Sequence, residues 1–227
     1  MDLTKLLGML ESKKLFLPRS DQFDDPYEGC LPKAAVAQNR AQYLSTGIPP
    51  KQVDIMIDNA IKAADIFRKQ MFISCWYSSE YESAAMWKLY LQSSEGIAIR
   101  SDHDALCRSL IASPLMARTA NIKYIDYDKT PIPAGNIYFQ FLHKRLSFSH
   151  ENELRAVIWS KEDVNGPQIP AEAISVTVDV DPSDLIKAVH VSPTSPKWFG
   201  ELVEHLLKRY GLKCPVEKSA LYDRPSY

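Results

Sequence analysis

The sequence predicts an α+β fold: a mixed, mainly antiparallel sheet flanked by helices, with a helical hairpin inserted at about residues 32–70. Three observations lead there. Short apolar runs of strand type mix with amphipathic stretches, without the strict β-α-β order of a doubly wound sheet. No glycine-rich phosphate loop follows any strand, and 8 glycines leave few places to build one. Two helical patterns flank Gly47-Ile48-Pro49-Pro50, which punctuates them as a hairpin.

The elements follow in chain order. Leu3, Leu6, Leu7 and Leu10 recur at helical spacing, so residues about 2–12 form an amphipathic helix. Leu15-Phe16-Leu17 reads as a strand that Pro18 stops, and a polar turn over residues 20–29 comes next. In the hairpin, helices at about 32–45 and 50–70, Val53, Ile57, Ile61 and Ala64 keep one face. Gly47 suits the end of the first helix and Pro49 or Pro50 the start of the second. Met71 to Trp76 is a strand, followed by a helix carrying Ala85, Met86, Leu89 and Tyr90, with Met86 and Leu89 assigned to the core. Gly96 ends that helix, Ile97 to Arg100 returns as a strand, and Asp102 caps a helix over about 103–112. Further strands are expected at 122–125, 154–159, 174–178 and 188–191, and a closing helix at Trp198, Leu202 and Leu206. No repeat, low-complexity tract or linker interrupts the pattern, so residues 1–227 are read as one domain.

Composition narrows the class. A chain of this length buries roughly 70% of its unfolded surface and needs no disulfide or metal to hold its core. Its 27 basic and 28 acidic residues are scattered, which gives no signature of general electrostatic binding to nucleic acid. Cys30, Cys75, Cys107 and Cys214 stand far apart, without Cys-x-x-Cys or zinc spacing, and read as reduced, mostly buried thiols. The first residues lack a signal peptide's pattern, and no apolar run approaches the ~18 residues of a membrane span, so the cytoplasm is the expected location.

Four constellations carry candidate chemistry. In Glu151-Asn152-Glu153-Leu154-Arg155 a strand's period puts Glu151, Glu153 and Arg155 on one face. Two carboxylates so close repel unless a cation joins them, and one then carries a raised pKa. The plainer alternative is a solvated strand edge with an Arg ion pair. Asp24, Asp25 and Glu28 stand beside a turn stiffened by Pro26, either as a metal or substrate loop or as an Asx turn. Trp87 and Tyr90, three apart on a helix and downstream of Trp76, offer either an aromatic wall for a nicotinamide or nucleobase or ordinary core packing. Lys144, Arg145 and His150 form either a cationic cluster for phosphate groups or charges at a helix C-terminus. His103, His143, His190 and His205 show no ligand spacing, and no Ser/His/Asp or Cys/His arrangement is defensible.

Four segments in this order resemble the bacterial family catalogued as domain of unknown function 2971. They are Phe23 to Gly29; Ile73-Ser74-Cys75-Trp76 leading to Met86-Trp87-Lys88-Leu89-Tyr90 and Gly96; Lys144 with Phe148 to Arg155; and Asp181 to Ile186 through Ser192-Pro193. Family members usually carry a short Tyr- and Arg-bearing strand before the first helix, whereas this sequence starts at the helix.

The Glu-x-Glu-x-Arg strand also resembles the third motif of ADP-ribosyltransferases. That resemblance implies an enzyme binding NAD or another nucleotide, with Glu153 polarising the ribose hydroxyl, Glu151 orienting the acceptor and Ser74 matching the transferase Ser motif. Asp24, Asp25, Glu28, Trp87, Tyr90, Lys144, His150 and Arg155 complete the expected substrate-binding set. Two alternatives stay open. One is a metal-dependent nuclease or phosphodiesterase, with magnesium or manganese on Asp24, Asp25, Glu28 and Glu153. The other is a non-catalytic ligand-binding or interaction module of a defence or toxin-related system.

Overall fold

Proline and glycine divide the chain much as the sequence suggests. The computed structural model describes residues 1–91, 94–163 and 165–225. Among the described residues the elements are α1 (Leu3–Ser12), β1 (Lys14–Pro18), α2 (Lys33–Ser45), α3 (Pro50–Arg68), β2 (Met71–Tyr77), α4 (Ala84–Tyr90), β3 (Ile97–Arg100), α5 (His103–Ile111), β4 (Ala117–Asn121), β5 (Lys123–Ile125), β6 (His143–Arg145), β7 (Glu153–Trp159), β8 (Ser175–Asp179), α6 (Pro182–Leu185), β9 (Ala188–Val191), α7 (Lys197–Arg209) and β10 (Val216–Lys218).

The α+β class is observed, but among the described residues the strands form four small sheets rather than one. Strands β2 and β4 pair antiparallel with β7, and β3 pairs antiparallel with β9. Strand β10 runs parallel to β9, β5 parallel to β6, and β1 pairs with β8. Contacts divide the chain into two compact units. The first comprises Met1–Phe16, Ser79–Leu115 and Thr177–Tyr227; the second comprises Leu17–Ser78 and Met116–Val176. The sequence showed no boundary because two of the crossings fall inside strands β1 and β8, where no linker marks them.

In the first unit, Asp2 caps α1 by accepting the Lys5 N–H at 2.8 Å, and Leu6, Met9 and Leu10 are buried. Asp102 caps α5 as expected, accepting the Ala105 N–H at 2.7 Å. Helix α7 buries Phe199, Val203 and Leu207 and exposes Trp198, a one-residue rotation from the expected stripe. Two apolar stripes of equal period lie side by side on this helix, and side-chain size pointed to the wrong one. On α4, Leu89 is 60% exposed, against its expected place in the core, while Trp87 is buried and donates its indole N–H to Glu82 at 3.3 Å. Against expectation none of the four cysteines is buried: Cys30, Cys107 and Cys214 are half-buried and Cys75 is exposed.

In the second unit, Gly47 sits at φ +82° where α2 ends, and Pro50 opens α3. Val53, Ile57 and Ala64 are buried, whereas Ile61 turns outward. The β2–β7 register pairs Ile73 with Val157, Cys75 with Arg155 and Tyr77 with Glu153. Directly paired residues share a face. Met71, Ile73 and Val157 therefore build one side of the sheet, where they pack with Tyr138 and Phe141. The same face carries Arg155 and Glu153 toward the end of β7.

Candidate functional site

A guanidinium taken wholly out of water must be paired on all sides. Arg155, in the central strand β7, is 0% exposed, and its partners define the site. Its Nη1 and Nη2 donate to Glu28 Oε1 and Oε2 at 2.6 and 2.9 Å, and its Nε donates to Glu153 Oε2 at 2.7 Å. Nη1 also donates to the Phe141 carbonyl at 2.8 Å. Glu28 reaches this position from a turn closed by Gly29 at φ +69°, where a Cβ would collide with the Phe141 ring.

Lys144 extends the chain of charges. It stands on β6, not at a helix C-terminus, and its Nζ donates to Glu153 Oε1 at 2.8 Å and to Glu151 Oε2. The two glutamates do meet, but not by strand alternation. Glu151 ends the 3-10 helix Leu146–Glu151, and β7 begins only at Glu153. Between them Asn152 turns left-handed at φ 37°, a conformation asparagine tolerates better than most residues. Ser78 holds that turn: its N–H donates to the Asn152 carbonyl at 2.8 Å, and its own carbonyl accepts the Asn152 amide. The Tyr124 hydroxyl accepts the Glu153 N–H at 2.9 Å.

This geometry pushes the two carboxyls apart. Burial raises the Glu151 pKa, assisted by a hydrogen bond to Glu153 that only protonated Glu151 can donate, and these outweigh Lys144, lifting it to about 7. Burial acts on Glu153 in the same sense, but the Arg155 charge and the bonds from Glu151, Arg155 and Lys144 overcome it and hold Glu153 well below the usual carboxylate range. Lys144 loses solvation too, yet its two carboxylate partners keep it firmly protonated. With the Asp25–Arg145 pair included, four carboxyls face three cations. The odd proton belongs on Glu151, the member of the glutamate pair with no arginine partner.

Asp25 confirms the turn reading and adds an ion pair. Its Oδ1 accepts the Tyr27 N–H at 3.0 Å, as in an Asx turn, and an Arg145 Nη2 donor at 2.6 Å. The Arg145 guanidinium lies 4.1 Å from the Tyr27 ring centre and 5.2 Å from that of Phe148.

Asp24 is exposed, and Ser74 lies on the sheet face opposite Glu153 and Arg155, so its expected transferase role finds no geometry here. His150 is exposed at the end of the 3-10 helix. Trp87 and Tyr90 belong to the first unit, while the charge network lies within the second. The proposed metal ligands do not make one donor set: Glu28 and Glu153 are bound to Arg155, Asp25 to Arg145, and Asp24 to neither. Among the described residues no three His, Cys, Asp or Glu side chains are placed to hold an ion.

Tyr27, Tyr124 and Phe148 were not singled out from sequence; aromatic residues beside a turn or a three-residue strand carry no periodic signal. Comparison with known proteins finds no matching family model, no similar curated protein and no similar solved structure. The chemistry of the site therefore rests on its own side chains.

Proposed function

We propose that the second unit carries an acid–base site, centred on Glu151, that acts on the glycosidic bond of NAD or a related nucleotide. One observation supports the acid–base part: two carboxyls share the Lys144 ammonium, one held ionised and the other placed to exchange a proton near neutrality. Carboxyls driven apart in this way are the usual arrangement of acid and base in glycosyl chemistry. The resemblance of Glu-x-Glu-x-Arg to the transferase motif supports the nucleotide part.

The roles differ from those the resemblance implies. Both Glu153 oxygens are engaged by cations in a nearly closed environment, so Glu153 sets the field around Glu151 rather than meeting a ribose hydroxyl. As the bond from the ribose carbon to nicotinamide breaks, its electron pair leaves with the nicotinamide nitrogen. Water or an acceptor hydroxyl adds to that carbon, and ionised Glu151 takes the released proton. Nicotinamide release from NAD tests this directly. Glu151→Gln should lower kcat by ~10²–10⁴-fold; unchanged turnover would remove the base, and a wild-type protein inert toward NAD across pH 5–9 would remove the substrate.

A second reading, a ligand-binding module without turnover, is supported by the mutual saturation of Glu28, Arg155 and Glu153. It requires thermal stabilisation by nucleotide with no product formed.

A further inference from the structure

Arg145 is held unlike the other basic residues of the network. Arg155 is surrounded by acceptors, whereas Arg145 has one carboxylate oxygen on one terminal nitrogen and aromatic rings near its guanidinium. Its Nε is buried without a hydrogen-bond partner, yet its side chain keeps 31% exposure. Here the rings and Asp25 fix the plane of the fork while part of the side chain remains open to solvent. A planar guanidinium fixed in this way suits bidentate binding of an oxyanion.

The position relative to Glu151 narrows the ligand. Lys144 Nζ lies 4.7 Å and Arg145 Cζ 5.2 Å from the centre of the same Phe148 ring, so the two cationic heads are at most about 10 Å apart. Lys144 binds Glu151, so the Arg145 guanidinium and the Glu151 carboxyl are neighbours on the scale of a phosphorylated sugar. We infer that Arg145, clamped by Tyr27 and Phe148, forms the subsite for a phosphoryl group of a small ligand. This deepens the nucleotide reading and rests on it for the identity of the ligand, but not for the binding of phosphoryl oxygen.

Calorimetry on the full chain with inorganic pyrophosphate tests the subsite. Wild type should bind. Arg145→Lys keeps the charge but loses the fork, and should weaken binding by about 10- to 100-fold, the range for loss of a charged hydrogen bond. Tyr27→Leu leaves Arg145 and Asp25 in place, removes one wall of the clamp, and should weaken binding by several-fold; as an exposed position it also serves if Arg145→Lys does not fold. Arg108→Gln, at an exposed arginine of the first unit, should bind pyrophosphate as wild type does. If pyrophosphate binding depends on Arg145 but wild type releases no nicotinamide, the subsite stands and the reaction falls. No binding by wild type, equal binding by Arg145→Lys or by Tyr27→Leu, or equally strong binding of succinate would overturn the phosphoryl assignment.

Discussion

Replacing Glu28 with Gln should destabilise the second unit more than its nearly unchanged shape suggests. Glu28 is 2% exposed and accepts two of the four hydrogen bonds made by the Arg155 guanidinium. An amide keeps one acceptor, turns an NH2 group toward an arginine donor, and leaves Glu153 as the buried charge facing Arg155. Breaking one partner of a buried ion pair costs about 3–5 kcal/mol. That is a large share of the ~5–15 kcal/mol by which domains are stable. Urea unfolding followed by circular dichroism should show a loss in this range with the denaturant slope unchanged. Arg108→Gln, which removes a pair with Asp184 in which Arg108 is 56% exposed, should leave the transition where it was. A Glu28→Gln midpoint indistinguishable from wild type would refute the view that Arg155 organises the network.

Three further outcomes follow from the same geometry. Because the folded-state pKa of Glu151 is raised, the native protein holds an extra proton between about 4.5 and about 7, and Glu151 lowers stability as pH rises through that window. Glu151→Gln should therefore gain on wild type in unfolding experiments as pH moves from 5 to 8; a constant difference would count against the shift. Glu153 has the opposite sign: its folded pKa is depressed, so its contribution is present above the ordinary carboxylate range and lost as pH falls through the folded value, an acid limb that Glu153→Gln should flatten. Asn152→Ala forces a β-carbon-bearing residue without asparagine's local hydrogen bonds into the left-handed turn and should cost about 1–2 kcal/mol, whereas Asn152→Gly should cost less. Equal losses would mean that the Ser78 bonds, not the backbone, set the turn.

The elements with strong periodicity or clear punctuation were legible: α1, the hairpin around Gly47 and Pro50, and the apolar strands β2, β7 and β9. Strand β4, Ala117-Arg118-Thr119-Ala120-Asn121, was not, because its pairing with β7 comes from tertiary contact rather than an apolar pattern. The site was legible in its residue types. Glu151, Glu153, Arg155, Lys144, Asp25 and Glu28 do join one charged region, although a left-handed Asn152 brings the glutamates together where strand alternation had been expected. What periodicity does not encode is which carboxyl faces which cation. That pairing spans more than 120 residues from Glu28 to Arg155, and it commits Glu153 to the same guanidinium.

The most direct measurement is a carbon-detected NMR titration of the glutamate side-chain carboxyls, wild type against Glu151→Gln. One resonance should titrate near 7 in wild type and vanish in the variant, while Glu153 stays ionised throughout. If every glutamate titrates within the ordinary range of about 4.2 ± 0.9, Glu151 is not the proton-exchanging group and the proposed chemistry has no base.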